Sequence, residues 1–197
     1  MTTPATTVAP KPVSVWEDFV DIFVSPAQVF ARREKAGFVL PLVVLTLVLV
    51  ALSFGTKSLL QPAIDAEFAR QTAAAMKANP RITAAQMESF RKMGETFAVV
   101  GVLIFTPIRV MLAGIVLWAV GKFFESKQTV GAAMVVATYA FFPLIAQQVV
   151  SALMAAVMDP ASITGAASVT LSLAHFLNPD TTSKMLFALA MRVDVFL

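Results

Sequence analysis

Three stretches of this chain are apolar over lengths that only a bilayer accommodates. Val130 to Met158 and Phe38 to Phe54 hold no charged residue, and Phe97 to Val120 holds one, Arg109. Crossing a bilayer as a helix takes roughly 20 apolar residues. Phe38 to Phe54 rises about 26 Å, a little short of a hydrocarbon core of about 30 Å; Gly37 and Gly55, or local thinning, make up the difference. Composition agrees, since 58% of the 197 residues are hydrophobic and 14% charged, where soluble domains are about a quarter charged. Mean hydropathy is +0.79. A soluble enzyme, a nucleic-acid module and a disordered chain are excluded. The 15 Lys+Arg and 12 Asp+Glu leave a net charge of +3. The basic residues lie mostly beside apolar runs, where they set orientation and meet anionic headgroups. With no cysteine there is no disulfide and no thiolate chemistry.

Residues 1–13 are rich in Thr, Pro and Ala, the composition of a disordered tail, and residues 1–15 lack the pattern of a signal peptide. From residue 14 to 37 the pattern changes. Val13, Trp16, Phe19, Val20 and Phe23 share one face of a helix, with Glu17, Asp18 and Asp21 opposite. Ser25-Pro26 opens a second short helix that runs into Arg32, Arg33, Glu34 and Lys35. This predicts amphipathic helices in the headgroup layer, with Trp16, Phe19, Phe23, Arg32, Arg33 and Lys35 at the membrane interface. Packing on the protein's own loops is the competing use of the same face.

Residues 38–197 form the membrane bundle, with spans near 38–54, 97–120 and 130–158. Residues 55–95 are a polar connector in which Pro62 opens a helix and Asn79-Pro80 breaks it. Thr83-Ala84-Ala85-Gln86 then resembles a capping box for a helix running toward the membrane. The link Gly121 to Thr129 is short and carries Lys122 and Lys127. The positive-inside rule therefore puts the N-terminus and this link in the cytoplasm and the connector outside, against the connector's own basic residues. Residues 161–177 predict an extended or partly helical surface segment, Asn178-Pro179-Asp180 a turn, and Thr181 or Thr182 the cap of a last short helix. The fold class is all-α, a multi-pass transmembrane helical bundle with an N-terminal interfacial amphipathic helix.

No catalytic constellation accompanies these spans. Ser89-x-x-Lys92 lacks the companion motifs of penicillin-recognising enzymes. The single histidine, His175, sits among Leu173, Ala174, Phe176 and Leu177 as a turn or interfacial residue. No phosphate loop, cofactor pattern or intramembrane carboxylate pair is present. The expensive residue is Arg109, because a guanidinium keeps its proton and needs acceptors even inside the membrane. Gln147 and Gln148 lie at comparable depth on the third span. Together the three are the intramembrane polar candidates, either a structural pin or a substrate or lipid-headgroup site. Gly114 and Gly121 smooth one face of the second span. Ala133/Ala137, Ser151/Ala155 and Ala152/Ala156 put small residues four apart on the third.

In this order the elements resemble the bacterial branch of the Yip-domain family. The resemblance rests on Phe19-x3-Phe23-x-Ser25-Pro26-x3-Phe30, Pro41, Tyr139-x3-Pro143, Leu171-Ser172-Leu173 to Asn178-Pro179, and Asp194-Val195-Phe196. The absent Gly-Gly in the second link and the presence of Arg109 depart from that pattern. The resemblance implies a compact bundle in the bacterial inner membrane, a cytoplasmic N-terminus and no enzymatic activity. It also implies that the chain is C-terminally truncated, with an incomplete further span beginning near Asp194 and a frayed end after Arg192. Two functional classes follow: a non-catalytic scaffold or adaptor, or a small-solute or lipid transporter or transporter subunit using the Arg109 region. The partners are the lipid bilayer with its anionic lipids, unidentified membrane proteins and a second copy of the chain. No cofactor and no nucleic acid is expected.

Overall fold

The computed structural model describes residues 14–33 and 37–196, without the side chains of Val15, Trp16, Phe19 and Val99. The expected tail, Lys35, and the aromatic groups of Trp16 and Phe19 therefore lie outside the described residues. Eight α-helices are described: α1 (Val15–Val24), α2 (Pro26–Arg33), α3 (Val39–Gly55), α4 (Lys57–Ala78), α5 (Ala84–Phe123), α6 (Val130–Ala140), α7 (Pro143–Val157) and α8 (Lys184–Ala190). Among the described residues there is no strand, only one antiparallel bridge between Ser172 and Asp194. The protein is an all-α helical membrane bundle.

Local chemistry sets the helix ends. Ser14 and Glu17 form a reciprocal capping box at the start of α1, and Thr83 and Gln86 form another at α5. Pro26 ends α1 and opens α2, where a missing N–H costs nothing. Thr129 caps α6 by accepting from the Ala132 N–H. Pro143 then interrupts the third span after Phe142 and starts α7.

Two helical stretches, Val100–Phe123 and Val130–Val157, are long and apolar enough to cross a membrane. The 17-residue α3 joins them as a third when it is counted with α4, across a bend of 78°. That bend carries α4 away from the axis of α3. The second span has no boundary at residue 97. It is the C-terminal part of one 40-residue helix, about 60 Å long, whose first turns are polar.

Gln148 Nε2 donates to Thr56 Oγ1 at 3.0 Å. Each residue lies about 26 Å along its own span, counted from Val39 and from Val130. α3 and α6–α7 therefore run parallel and start at one end of the bundle. α5 runs against them, so the Gly121–Thr129 link shares that end with α2, and α4 lies at the other.

The main core joins α1 and α2 to the spans through Ile22, Val29, Leu45, Val110, Tyr139 and Phe142, all buried. Gly114 lets α5 approach Met134 of α6 closely. Ala133, Ala137, Ala152 and Ala155 are buried within the chain, so these small residues serve intramolecular packing. A second cluster of Ala63, Ala155, Ile163 and Val169 seats the 160–177 segment on α4 and α7.

That segment is partly helical and docked on the bundle. It winds through short 3₁₀ turns at Pro160–Ser162, Ala166–Val169 and Leu173–Phe176, with Ser172 and Ala174 buried. The last helix is capped by Ser183 through the Leu186 N–H, two residues beyond Thr181. Beyond Arg192 the described residues are hydrogen-bonded to the bundle. The Leu173 N–H donates to Val193 O at 3.0 Å, and Gln147 Nε2 donates to Asp194 Oδ2 at 2.9 Å. A buried carboxylate with two donors has no reason to leave.

Glu67 of α4 ties the docked segment from below. Arg70 Nη2 donates to both of its oxygens at 2.7 and 2.6 Å, and Gln71 Nε2 to one at 2.8 Å. A Cβ on Gly165 would lie 2.8 Å from Glu67 Oε2, so any other residue there would push the carboxylate aside. Burial works against the carboxylate. The hydrogen bonds from Arg70 and Gln71, the Arg70 charge and the Ala166 N–H outweigh it, and hold the carboxyl below its ordinary value of 4.5. A lowered folded value contributes stability above that ordinary value, and the contribution is lost as pH falls through the lower one. Amide exchange at Ala166, corrected for its intrinsic rate, should therefore speed up below pH 4.5 in the native chain. Glu67→Gln should abolish that pH dependence; an unchanged profile in the variant would refute the tie.

Candidate functional site

A dense polar cluster sits where the N-terminal helices meet the bundle. Asp18 belongs by periodicity to the polar face of α1, yet its side chain is fully buried. Arg32 Nη2 donates to its Oδ1 at 3.0 Å, Arg33 Nε to its Oδ2 at 2.5 Å, and Tyr139 Oη to the same Oδ2 at 2.9 Å. Arg32 Nη2 also donates to Asp21 at 2.6 Å. The chain supplies these groups from three helices. α1 brings the carboxylate, the last turn of α2 brings both guanidinium groups, and α6 brings the hydroxyl. A fully buried carboxylate is tolerated only when its lone pairs are filled, and here three donors fill them.

The cluster clamps an amphipathic pair. Ile22 and Val29 face the core, while Val20, Phe23 and Val24 of α1 are exposed. Of the residues expected at the interface, Phe23 is therefore outward. Arg32 and Arg33 each spend part of their hydrogen-bonding capacity on Asp18.

The intramembrane candidates do not converge. Gln147 is committed to Asp194 and Gln148 to Thr56. Arg109 bonds to neither. It is exposed and lines a different space, with Ala140, Phe141, Leu144 and Arg192. Depth along the spans was readable in the sequence, but the rotation of each helix about its axis was not.

A larger cavity of about 880 Å³ opens between the α3–α4 bend and α5. Phe54, Ile64, Phe68, Phe90 and Val100 contribute its apolar walls. Its principal cation, Arg91, is engaged with Asp65 at 2.8 Å and Glu95 at 2.9 Å, and lies 5.7 Å from the Phe68 ring centre. Among the described residues no group of three His, Asp or Glu side chains is arranged to hold a metal ion. The His175 Nδ1 is buried without a hydrogen-bond partner, and its ring stands edge-on to Phe176 at 5.1 Å.

Neither the curated proteins nor the solved structures returned a match to the chain. The family comparison is positive. The Yip1 domain model matches residues 20–191, from within α1 to the end of α8, and covers Tyr139, Pro143, Ser172 and Pro179 of the resemblance read in the sequence. Tyr139 and Ser172 carry the clamp and the C-terminal bridge. The chain belongs to the Yip1 domain family.

Proposed function

We propose that this protein is a non-catalytic membrane scaffold or adaptor of the bacterial inner membrane, with a cytoplasmic N-terminus. The clamp around Asp18 carries the reading, because it holds an amphipathic helix pair against the spans with an apolar edge turned outward. Trp16, Phe19 and Phe23 are the apolar contacts of that pair with the headgroup layer, and Arg32, Arg33 and Lys35 its contacts with anionic lipid. Lys122 and Lys127 at the same end of the bundle support the orientation. The Yip1 family has no known enzymatic activity. Such a helix pair presents a fixed surface at the membrane face to other membrane proteins or to a second copy of the chain.

Crosslinking in native membranes, read by mass spectrometry, tests this. Residues 14–33 should capture a defined set of neighbours, and Asp18→Ala should lose that set while the spans stay inserted. Saturable solute uptake by the purified protein in liposomes, abolished by Arg109→Leu, would overturn the reading in favour of a transporter.

A further inference from the structure

Two guanidinium groups line one cavity. Arg109 and Arg192 line a space of about 500 Å³ whose other walls are Ala140, Phe141 and Leu144. Both arginines are exposed. Among the described residues neither makes an ion pair or a side-chain hydrogen bond. Asp194, two residues from Arg192, gives one oxygen to Gln147 and the other to the Phe196 N–H.

Arg109 lies about 13 Å along α5 from Val100, well inside the apolar stretch. Helical side chains lean toward the helix N-terminus, so Arg109 leans toward the connector end. The tie between Gln147 and Asp194 brings Arg192 to the same cavity. A guanidinium beside apolar walls needs acceptors, and two like charges there repel each other. An anion between them relieves both costs. Planar guanidinium groups match phosphate oxygens with paired N–H donors.

We propose that this cavity binds a phosphate group, that of an anionic lipid drawn from the connector-side leaflet below its usual plane. The apolar walls Ala140, Phe141 and Leu144 favour a phosphate attached to an acyl body. The site is independent of the clamp and of the adaptor reading.

The test uses the full chain in nanodiscs of phosphatidylglycerol and phosphatidylcholine, released and weighed by native mass spectrometry. The native protein should retain phosphatidylglycerol over phosphatidylcholine, and Arg109→Gln and Arg192→Gln should each retain about tenfold less of it. A parallel titration of delipidated protein with inorganic phosphate, followed by phosphorus NMR, separates the sources. Binding there that the same substitutions weaken, without lipid retention, assigns the site to free phosphate. If Arg109→Gln does not fold, Arg192→Gln, outside the spans, carries the comparison. Equal retention by the native chain and Arg192→Gln, with no phosphate binding in solution, overturns the proposal.

Discussion

Replacing Asp18 with alanine should detach α1 and α2 from the bundle and lower the melting temperature by roughly 6–12 °C. The substitution strips a fully buried carboxylate from Arg32, Arg33 and Tyr139 at once. Breaking a buried pair by removing one partner costs about 3–5 kcal/mol. The arginine side chains keep 30% and 22% exposure and rehydrate in part, which favours the lower end, about 3 kcal/mol. Tyr139→Phe removes one hydrogen bond to the charged group and should cost about 1.5 kcal/mol. The two substitutions share a partner, so together they should cost less than their sum. Thermal melts in detergent read the stability, and tryptic cleavage after Arg32 or Arg33 reads the detachment. An Asp18→Ala protein with native melting and a native tryptic pattern would mean that the clamp is decorative.

Gly114→Leu should be nearly as damaging, for a steric reason. A Cβ there collides with Met134 Sδ and lies 3.2 Å from Met134 Cα, a backbone atom that cannot swing aside. Overpacking of this kind costs about 1–3 kcal/mol where side chains adjust, and this site offers little adjustment. The α5–α6 hairpin is further held where Gln128 Nε2 donates to Leu117 O at 3.0 Å, so the helices cannot simply slide apart. Gly94, on the polar half of the same helix, has nothing within 4 Å of its would-be Cβ. Gly94→Ala should therefore stabilise by up to about 1 kcal/mol through helix propensity. Melts of the two variants beside the native chain decide the matter. Equal destabilisation by both would point to a general intolerance of α5 and against the close contact with Met134.

Much of this architecture is written in local chemistry. The spans, the capping box at Thr83 and the proline break at Pro143 depend on residues that are neighbours in the chain, and each is visible there. The 78° bend at Thr56 is held by Gln148, far along the sequence, and has no local signature. Asp18 shows the same limit. A carboxylate beside Glu17 and Asp21 reads as one more member of a solvated face, because its partners come from α2 and from Tyr139, 121 residues away. The only hint was the pair Arg32-Arg33 on the following helix, and adjacent arginines near a membrane run have an ordinary explanation as topology signals. Arg109 shows the limit from the other side. Its depth matched that of Gln147 and Gln148, but contact also needs the helices turned toward each other. The family motifs located Ser172 and Asp194 without showing that the two form a bridge.

The account rests on a bundle whose N-terminal helix pair and Gly121–Thr129 link share one end, with α4 at the other. The chain has no cysteine, so single cysteines report cleanly. Ala27, Ala74 and Lys127 are all exposed. Labelling of Ala27→Cys, Ala74→Cys and Lys127→Cys by an impermeant maleimide in oriented vesicles tests the arrangement directly. Ala27→Cys and Lys127→Cys should react from the same side, and Ala74→Cys from the opposite side only. Reaction of Ala27→Cys and Ala74→Cys from one side would contradict it.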